Sequence, residues 1–244
     1  MNPVLLVVAH GSRDPRHAAT VHALTRRVRS LRPGLRVETA FLDFNLPSVP
    51  GMLQTLAAEG VRDVVALPLL LTRAFHAKAD IPAVLRQAPA SLRIRQAEVL
   101  GPSPLLVSAV ERRLYEAGLG PADKSTTGVV LASAGSSDPE AIAVIAETAR
   151  ELRRTGWCSV RPAFASASLP RTEDAVRAMR ADGVRRVAVA PYVIAPGRLP
   201  DRIAAGAAEA DVLAGVLGPS PELARLLTAR YDEARTAAAL TAVS

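Results

Sequence analysis

The sequence predicts an α/β fold built twice: two lobes, each a four-stranded parallel sheet flanked by helices, with a cleft between them. Three observations carry this. Apolar runs rich in Val, Leu and Ile alternate with amphipathic stretches, the pattern of βα units whose strands are covered on both faces. The element order of the first half recurs in the second. Four segments also repeat in residue detail and in the same order, which marks an internal duplication.

In the first half, strands are expected at 4–9, 35–41, 62–70 and 92–97, and helices at 17–31, 48–59, 80–88 and 103–117. The runs Val4–Ala9 and Val64–Leu71 are too continuous in apolar residues for half-exposed strands. They suit central strands of a parallel sheet. The second half repeats the order, with strands at 127–132, 158–164, 184–190 and 211–216 and helices at 138–154, 171–181, 200–209 and 220–239. The two GPSP turns read as helix starts. Asp80 in KADIP reads as a helix N-cap. Gly118–Gly128, rich in Gly, Pro, Ser and Thr, is the expected linker, giving lobes at 1–120 and 126–240.

The repeat aligns AHGSRDP (9–15) with SAGSSDP (133–139) and TAFLDFNLPSV (39–49) with PAFASASLPRT (162–172). It also aligns AAEGVRDVVALPLLL (57–71) with RADGVRRVAVAPYVI (180–194), and VLGPSPLL (99–106) with VLGPSPEL (216–223). The differences are more informative than the matches. His10 falls opposite Ala134 and Asp43 opposite Ser166, while His76 lies after the third strand, where the second half has Gly197 and no histidine. A requirement of the fold shared by both lobes would not produce that asymmetry.

Composition narrows the function. The chain has 244 residues, 49% hydrophobic and 22% charged, enough apolar content for a core and too much for a disordered tail. No apolar run approaches the about 20 residues of a membrane-spanning helix. The amino terminus lacks the basic region of a signal peptide. Cys158 is the sole cysteine, excluding an intramolecular disulfide or a multi-thiolate metal site within one chain. These features read as a cytoplasmic protein. The net charge is +7, and lysine occurs only at Lys78 and Lys124, so 28 of the 30 basic residues are arginine. Arginine forks pair with carboxylates or phosphates, although a surface rich in arginine also has a bland explanation in solvation. Nucleic acid is disfavoured, because basic and acidic residues are interspersed and aromatics make up 3% of the chain.

In a doubly wound sheet, ligands bind where loops leave the carboxyl ends of the strands, at the switch point. With strand order 2-1-3-4 in the first lobe, His10, Asp43 and His76 converge there. Two imidazoles and a carboxylate suit ferrous iron, cobalt or nickel better than magnesium or calcium, and imidazole also moves protons near neutrality. Each histidine alone has an ordinary reading, as a turn or loop residue; three matching strand ends weigh against it. Ser12 and Gly11 offer donors at a helix start, though GSRDP is also an ordinary turn. His17 and His22, five residues apart on the first helix, are expected at the surface.

AHGSRDP, the acidic residue in AFLDF and HAKADIP after an apolar strand resemble the class II tetrapyrrole chelatases, specifically the sirohydrochlorin chelatases. The resemblance implies two similar α/β lobes around a macrocycle, with His10 and His76 binding metal and assisting deprotonation. It implies insertion of a divalent metal as substrate, Fe2+ or Co2+ with Ni2+ as a further candidate, on a route to sirohaem or cobalamin and with no organic cofactor. Asp43 stands where that family often has glutamate. The absence of a histidine-rich tail favours iron. A polycarboxylate tetrapyrrole gives the arginine excess a partner, with Ser12, Arg13, Lys78, Arg198 and Arg202 as candidate contacts. Neither a monomer nor a homodimer is excluded. Two other readings stand beside this one: a metal or tetrapyrrole carrier without catalysis, and a histidine phosphatase. The phosphatase lacks the arginine expected directly before its histidine, a position held here by Ala9.

Overall fold

The computed structural model describes residues 2–73 and 79–241, with side chains in the last helix followed to Ala237. The elements in chain order are β1 (Val4–Ala9), α1 (Pro15–Leu31), β2 (Val37–Phe41), α2 (Val49–Ala58), β3 (Asp63–Pro68), α3 (Ile81–Leu85), β4 (Arg93–Gln96) and α4 (Pro104–Glu116). After a 3-10 turn at Pro121–Asp123 come β5 (Thr127–Ser133), α5 (Pro139–Arg154), β6 (Ser159–Phe164), α6 (Thr172–Ala181), β7 (Arg186–Tyr192), α7 (Arg198–Gly206), β8 (Val212–Leu213) and α8 (Pro221–Thr241).

The two sheets are parallel, with orders β2-β1-β3-β4 and β6-β5-β7-β8. The first is the order expected from the sequence, and it puts β1 between β2 and β3. Every residue of β1 and of β5 is buried, as continuous apolar central strands must be. The edges differ in kind. β4, with sequence RIRQ, presents charge, and Arg93 forks onto Asp63 of β3 at 3.0 and 2.8 Å. β8 is only two residues long. Both devices discourage pairing with another sheet.

Helix starts follow local chemistry that the duplication preserved. In SRDP, the Ser12 hydroxyl accepts from Asp14 N at 3.1 Å and Asp14 accepts from Arg16 N at 2.9 Å, with Pro15 opening α1. In SSDP, Ser136 accepts from Asp138 N at 3.0 Å and Asp138 from Glu140 N at 2.9 Å, with Pro139 opening α5. Proline at the first position loses no helical bond, and the aspartate satisfies an orphan N–H. Ser103 caps α4 as the GPSP turn predicts. Asp80 precedes α3 but makes no capping bond, and α3 ends at Leu85 rather than at 88. Pro89 disfavours helical backbone at Ala88, which shortens the element. β8 covers less than the expected 211–216 because Gly215 and Pro219 follow within a few residues.

The compact units are not the contiguous halves 1–120 and 126–240 read from the repeat. One unit is the chain to Gly101 together with the segment from Pro221 onward, and the other is Pro102–Ser220. In the first, α8 packs on α1 and β3. Its Tyr231 hydroxyl donates to Pro3 O at 2.7 Å, Arg230 Nε donates to Val99 O at 2.9 Å, and Arg32 pairs with Asp232 at 2.8 Å. In the second, α4 packs on β7 and α5 and buries Leu106, Val107, Ala109, Val110 and Leu114. Arg113 of α4 donates to Leu217 O at 2.9 and 3.2 Å. Each repeat's last helix therefore finishes a unit other than the one its preceding strand belongs to. No helix among the described residues is long and apolar enough to cross a membrane.

One contact recurs in both sheets and fixes the loops above the central strands. A β-carbon on Gly11 (φ +95°) would lie 1.9 Å from Asp43 O, and one on Gly135 (φ +91°) would lie 1.9 Å from Ser166 O. Backbone is not able to yield as a flexible side chain does, so Gly11→Ala and Gly135→Ala should each cost more than about 2 kcal/mol. Gly34→Ala, which meets nothing within 4 Å, should stay within about 0.5 kcal/mol. Urea unfolding of the three variants checks this; equal stabilities would refute the steric assignment.

Candidate functional site

The pairing of β1 with β2 continues past the strands. Leu42 N donates to Ala9 O and Asp43 N to His10 O, both at 2.9 Å. His10 and Asp43 thus leave the sheet side by side at its carboxyl edge, and both are exposed. Beyond them the loop locks onto itself. Asn45 N donates to Asp43 O at 2.7 Å, and the Asn45 side-chain oxygen accepts from Ser12 N at 2.8 Å. Phe41 N donates to Pro47 O at 3.0 Å, across a cis Leu46–Pro47 peptide.

Between Asp43 and Asn45, Phe44 takes a left-handed backbone, φ 60°, with its N–H donating to Asp43 Oδ1 at 2.8 Å. For a non-glycine residue this conformation costs on the order of 1 kcal/mol. The phenyl ring stands edge-on to His10, centroids 6.3 Å apart at 80°, and the Arg13 guanidinium lies over it at 5.3 Å. One short loop pair therefore gathers an imidazole, a carboxylate, an aromatic ring and a guanidinium.

The second unit builds the same frame with different side chains. Ala165 N donates to Ser133 O and Ser166 N to Ala134 O, both at 2.9 Å; Ala167 has φ 58°, and Leu169–Pro170 is cis. The Ser166 hydroxyl donates to Ala134 O at 2.8 Å and that of Ser168 to Ser136 O at 2.6 Å. Here the polar side chains tie the loop, and Ala134 and Ser166, in the places of His10 and Asp43, carry no ionisable group. Ser166, Arg198, Leu199 and Arg202 line a cavity of about 590 Å³ in this unit, within the range of ligand pockets. Arg198 and Arg202, one turn apart at the start of α7, are exposed and have no ion pair among the described residues.

The structure thus brings His10, Asp43, Ser12 and Arg13 together in one unit and places Arg198 and Arg202 on a cavity of the other. His76 and Lys78 lie outside the described residues. Among the described residues, no three His, Cys, Asp or Glu side chains form a group able to hold a metal ion. The Ser12 N–H is engaged by Asn45, which leaves the hydroxyl as that residue's free donor. Asn45 and Phe44 were not singled out by sequence reasoning. The aligned Ser168 and Ala167, in the same loop of the second repeat, are the signals that mark them.

His17 and His22 are not the surface residues that their five-residue spacing implied. Both are half-buried. His17 sits one turn before Val21, Leu24 and Val28 on the buried face of α1, and His22 lies edge-on to Phe41 at 5.7 Å. The His17 Nδ1 is buried with no hydrogen-bond partner among the described residues.

The comparisons with known proteins follow the duplication. The model of the CbiX family matches residues 4–117 and again 128–234. The chain belongs to the CbiX family. This CbiX-family chain is 28% identical over 244 residues to a protein of Priestia megaterium named sirohydrochlorin cobaltochelatase, covering 94% of this chain and 79% of that one. It is 28% identical over 209 residues to the sirohydrochlorin ferrochelatase of Bacillus subtilis strain 168, covering 83% of this chain and 78% of the relative. Among solved structures it superposes on SirB from Bacillus subtilis with Fe3+ at a TM-score of 0.82 and 25% identity, covering 96% of both chains. The cobalt complex of SirB from the spizizenii subspecies gives 0.78 at 23% identity, a likeness of fold.

Burial, and then repulsion from a charged His10, lower the pKa of His17, with Asp14 opposing. The unfolded chain accepts a proton that the folded one resists. The stability this confers is full above the ordinary histidine pKa of about 6.5 and is lost as pH falls through and below it. His17→Gln should therefore lose less stability than wild type between about pH 7.5 and about pH 5.5 in urea unfolding. Equal losses would show that His17 does not resist protonation.

Proposed function

We propose that this chain inserts a divalent metal, ferrous iron or cobalt, into sirohydrochlorin with release of two protons. The observation that carries the reading is the exposed His10 imidazole set beside Asp43 at the end of the central strand, in the repeat whose partner has neither group. Relatives matching most of the chain are named for this reaction with iron and with cobalt.

The chemistry has two parts. A metal must reach one face of the macrocycle, and the two pyrrole N–H protons must leave as the metal–nitrogen bonds form. His10 is the described group suited to both. Neutral imidazole ligates iron, cobalt or nickel without the retention that a thiolate site would impose, and the same ring accepts a proton near neutrality. His76, in the segment after β3, is assigned as the second imidazole. Asp43 supplies a carboxylate beside His10, oriented by the Phe44 N–H. The substrate's carboxylates are assigned to Arg13, Ser12 and Lys78 from the first repeat and to Arg198 and Arg202 on α7. The reaction is placed in the cytoplasm, with no organic cofactor.

Anaerobic incubation with sirohydrochlorin and ferrous iron, cobalt or nickel, followed by the macrocycle's absorption, tests the reading. Wild type should accelerate insertion above background. His10→Ala and His76→Ala should each lose about 100-fold or more, and Asp43→Ala about 10-fold. Ala134→Ser should be unaffected. Wild-type rates in His10→Ala would remove it from the site. Metal retention without product, for every metal, would identify a carrier instead.

A further inference from the structure

The Phe44 ring, unlike its backbone N–H, has no part in the metal chemistry proposed above. It is 50% exposed, whereas Phe41, Trp157, Phe164, Tyr192 and Tyr231 are buried and Tyr115 is half-buried. Among the described Phe, Tyr and Trp residues it is the one displayed to solvent. The duplication contains its own control. Ala167 occupies the same left-handed position, φ 58° against 60°, in a turn closed by the same bond, Ser168 N to Ser166 O at 2.6 Å against Asn45 N to Asp43 O at 2.7 Å. The frame therefore requires a left-handed residue there but no aromatic ring.

The half-exposed ring is not one of the buried core residues. Among the described residues its ring contacts are with His10, edge-on, and with the Arg13 guanidinium at 5.3 Å; Arg13 has no ion pair among them. Leu46, two residues on, is 83% exposed and extends the apolar display. A flat ligand with a π face and anionic edges matches this set. The phenyl ring offers offset stacking, and a guanidinium resting on a ring is held where it can meet a carboxylate.

We propose that Phe44 is a stacking platform for the tetrapyrrole, holding the macrocycle against His10 while it keeps Arg13 poised for a carboxylate at the rim. The proposal rests on the substrate reading given above. Phe44 is a positioning residue, so its loss should weaken binding and leave the chemical step largely intact. Ala167 shows that alanine is accommodated in this backbone, so Phe44→Ala should fold.

The test is titration of metal-free sirohydrochlorin into wild type, Phe44→Ala, Phe44→Leu and Phe44→Trp, followed by the macrocycle's absorption, with steady-state insertion kinetics and melting temperatures beside it. For Phe44→Ala, Kd and KM should rise roughly 10-fold or more, as for loss of one stacking contact, with kcat changed less than about 3-fold and an unchanged melting temperature. Phe44→Trp should bind as wild type does or more tightly, and Phe44→Leu should fall between. Wild-type affinity in Phe44→Ala, in a protein that binds and metallates sirohydrochlorin, would overturn the platform alone. A wild type that neither binds nor metallates it would overturn the substrate reading and the platform with it.

Discussion

The candidate site depends on one close approach of backbone to backbone. The carbonyl oxygen of Asp43 occupies the place where a side chain on residue 11 would begin, so residue 11 is glycine at φ +95°. That contact, with the two hydrogen bonds before it, makes the loops after β1 and β2 a single rigid corner. His10 leaves one strand of the corner and Asp43 the other, side by side at the carboxyl edge. Because the constraint is carried by main chain, it survives changes in every neighbouring side chain except glycine itself. The second unit bears this out, with Gly135 against Ser166 O and none of the same chemistry.

Duplication of such a corner allows the two copies to diverge in function while they share a fold. In the first copy the corner displays an imidazole and a carboxylate. In the second, the Ser166 hydroxyl turns inward to the Ala134 carbonyl, and the polar groups at the edge serve the loop. In the second unit, Arg198 and Arg202 line a cavity of about 590 Å³. The proposed division places metal and proton chemistry on the first repeat.

Much of this was legible in the sequence because it is written in short-range patterns. Continuous apolar runs at Val4–Ala9 and from Val64 marked the buried central strands, and the repeat placed every strand of the second sheet. The strand order then put His10 beside Asp43. What was not legible depends on tertiary contacts. Nothing local in Pro104–Glu116 says that its apolar face packs on β7, or in Pro221–Thr241 that its own packs on α1 and β3. The five-residue spacing of His17 and His22 hides the i+4 relation to Val21 that puts His17 on the buried face of α1. The place of Phe44 is set by a backbone conformation that no local pattern marks, and Ala167 in the same conformation shows that it does not require a ring.

The central claim is that the chemistry resides at one corner of a duplicated frame. Anomalous diffraction from crystals soaked in cobalt tests it most directly, because it reads position without requiring turnover. The expected result is a peak about 2.1 Å from an imidazole nitrogen of His10, absent in His10→Ala, with none at the equivalent corner by Ala134. A peak that ignores His10, or that persists in His10→Ala, would contradict the account.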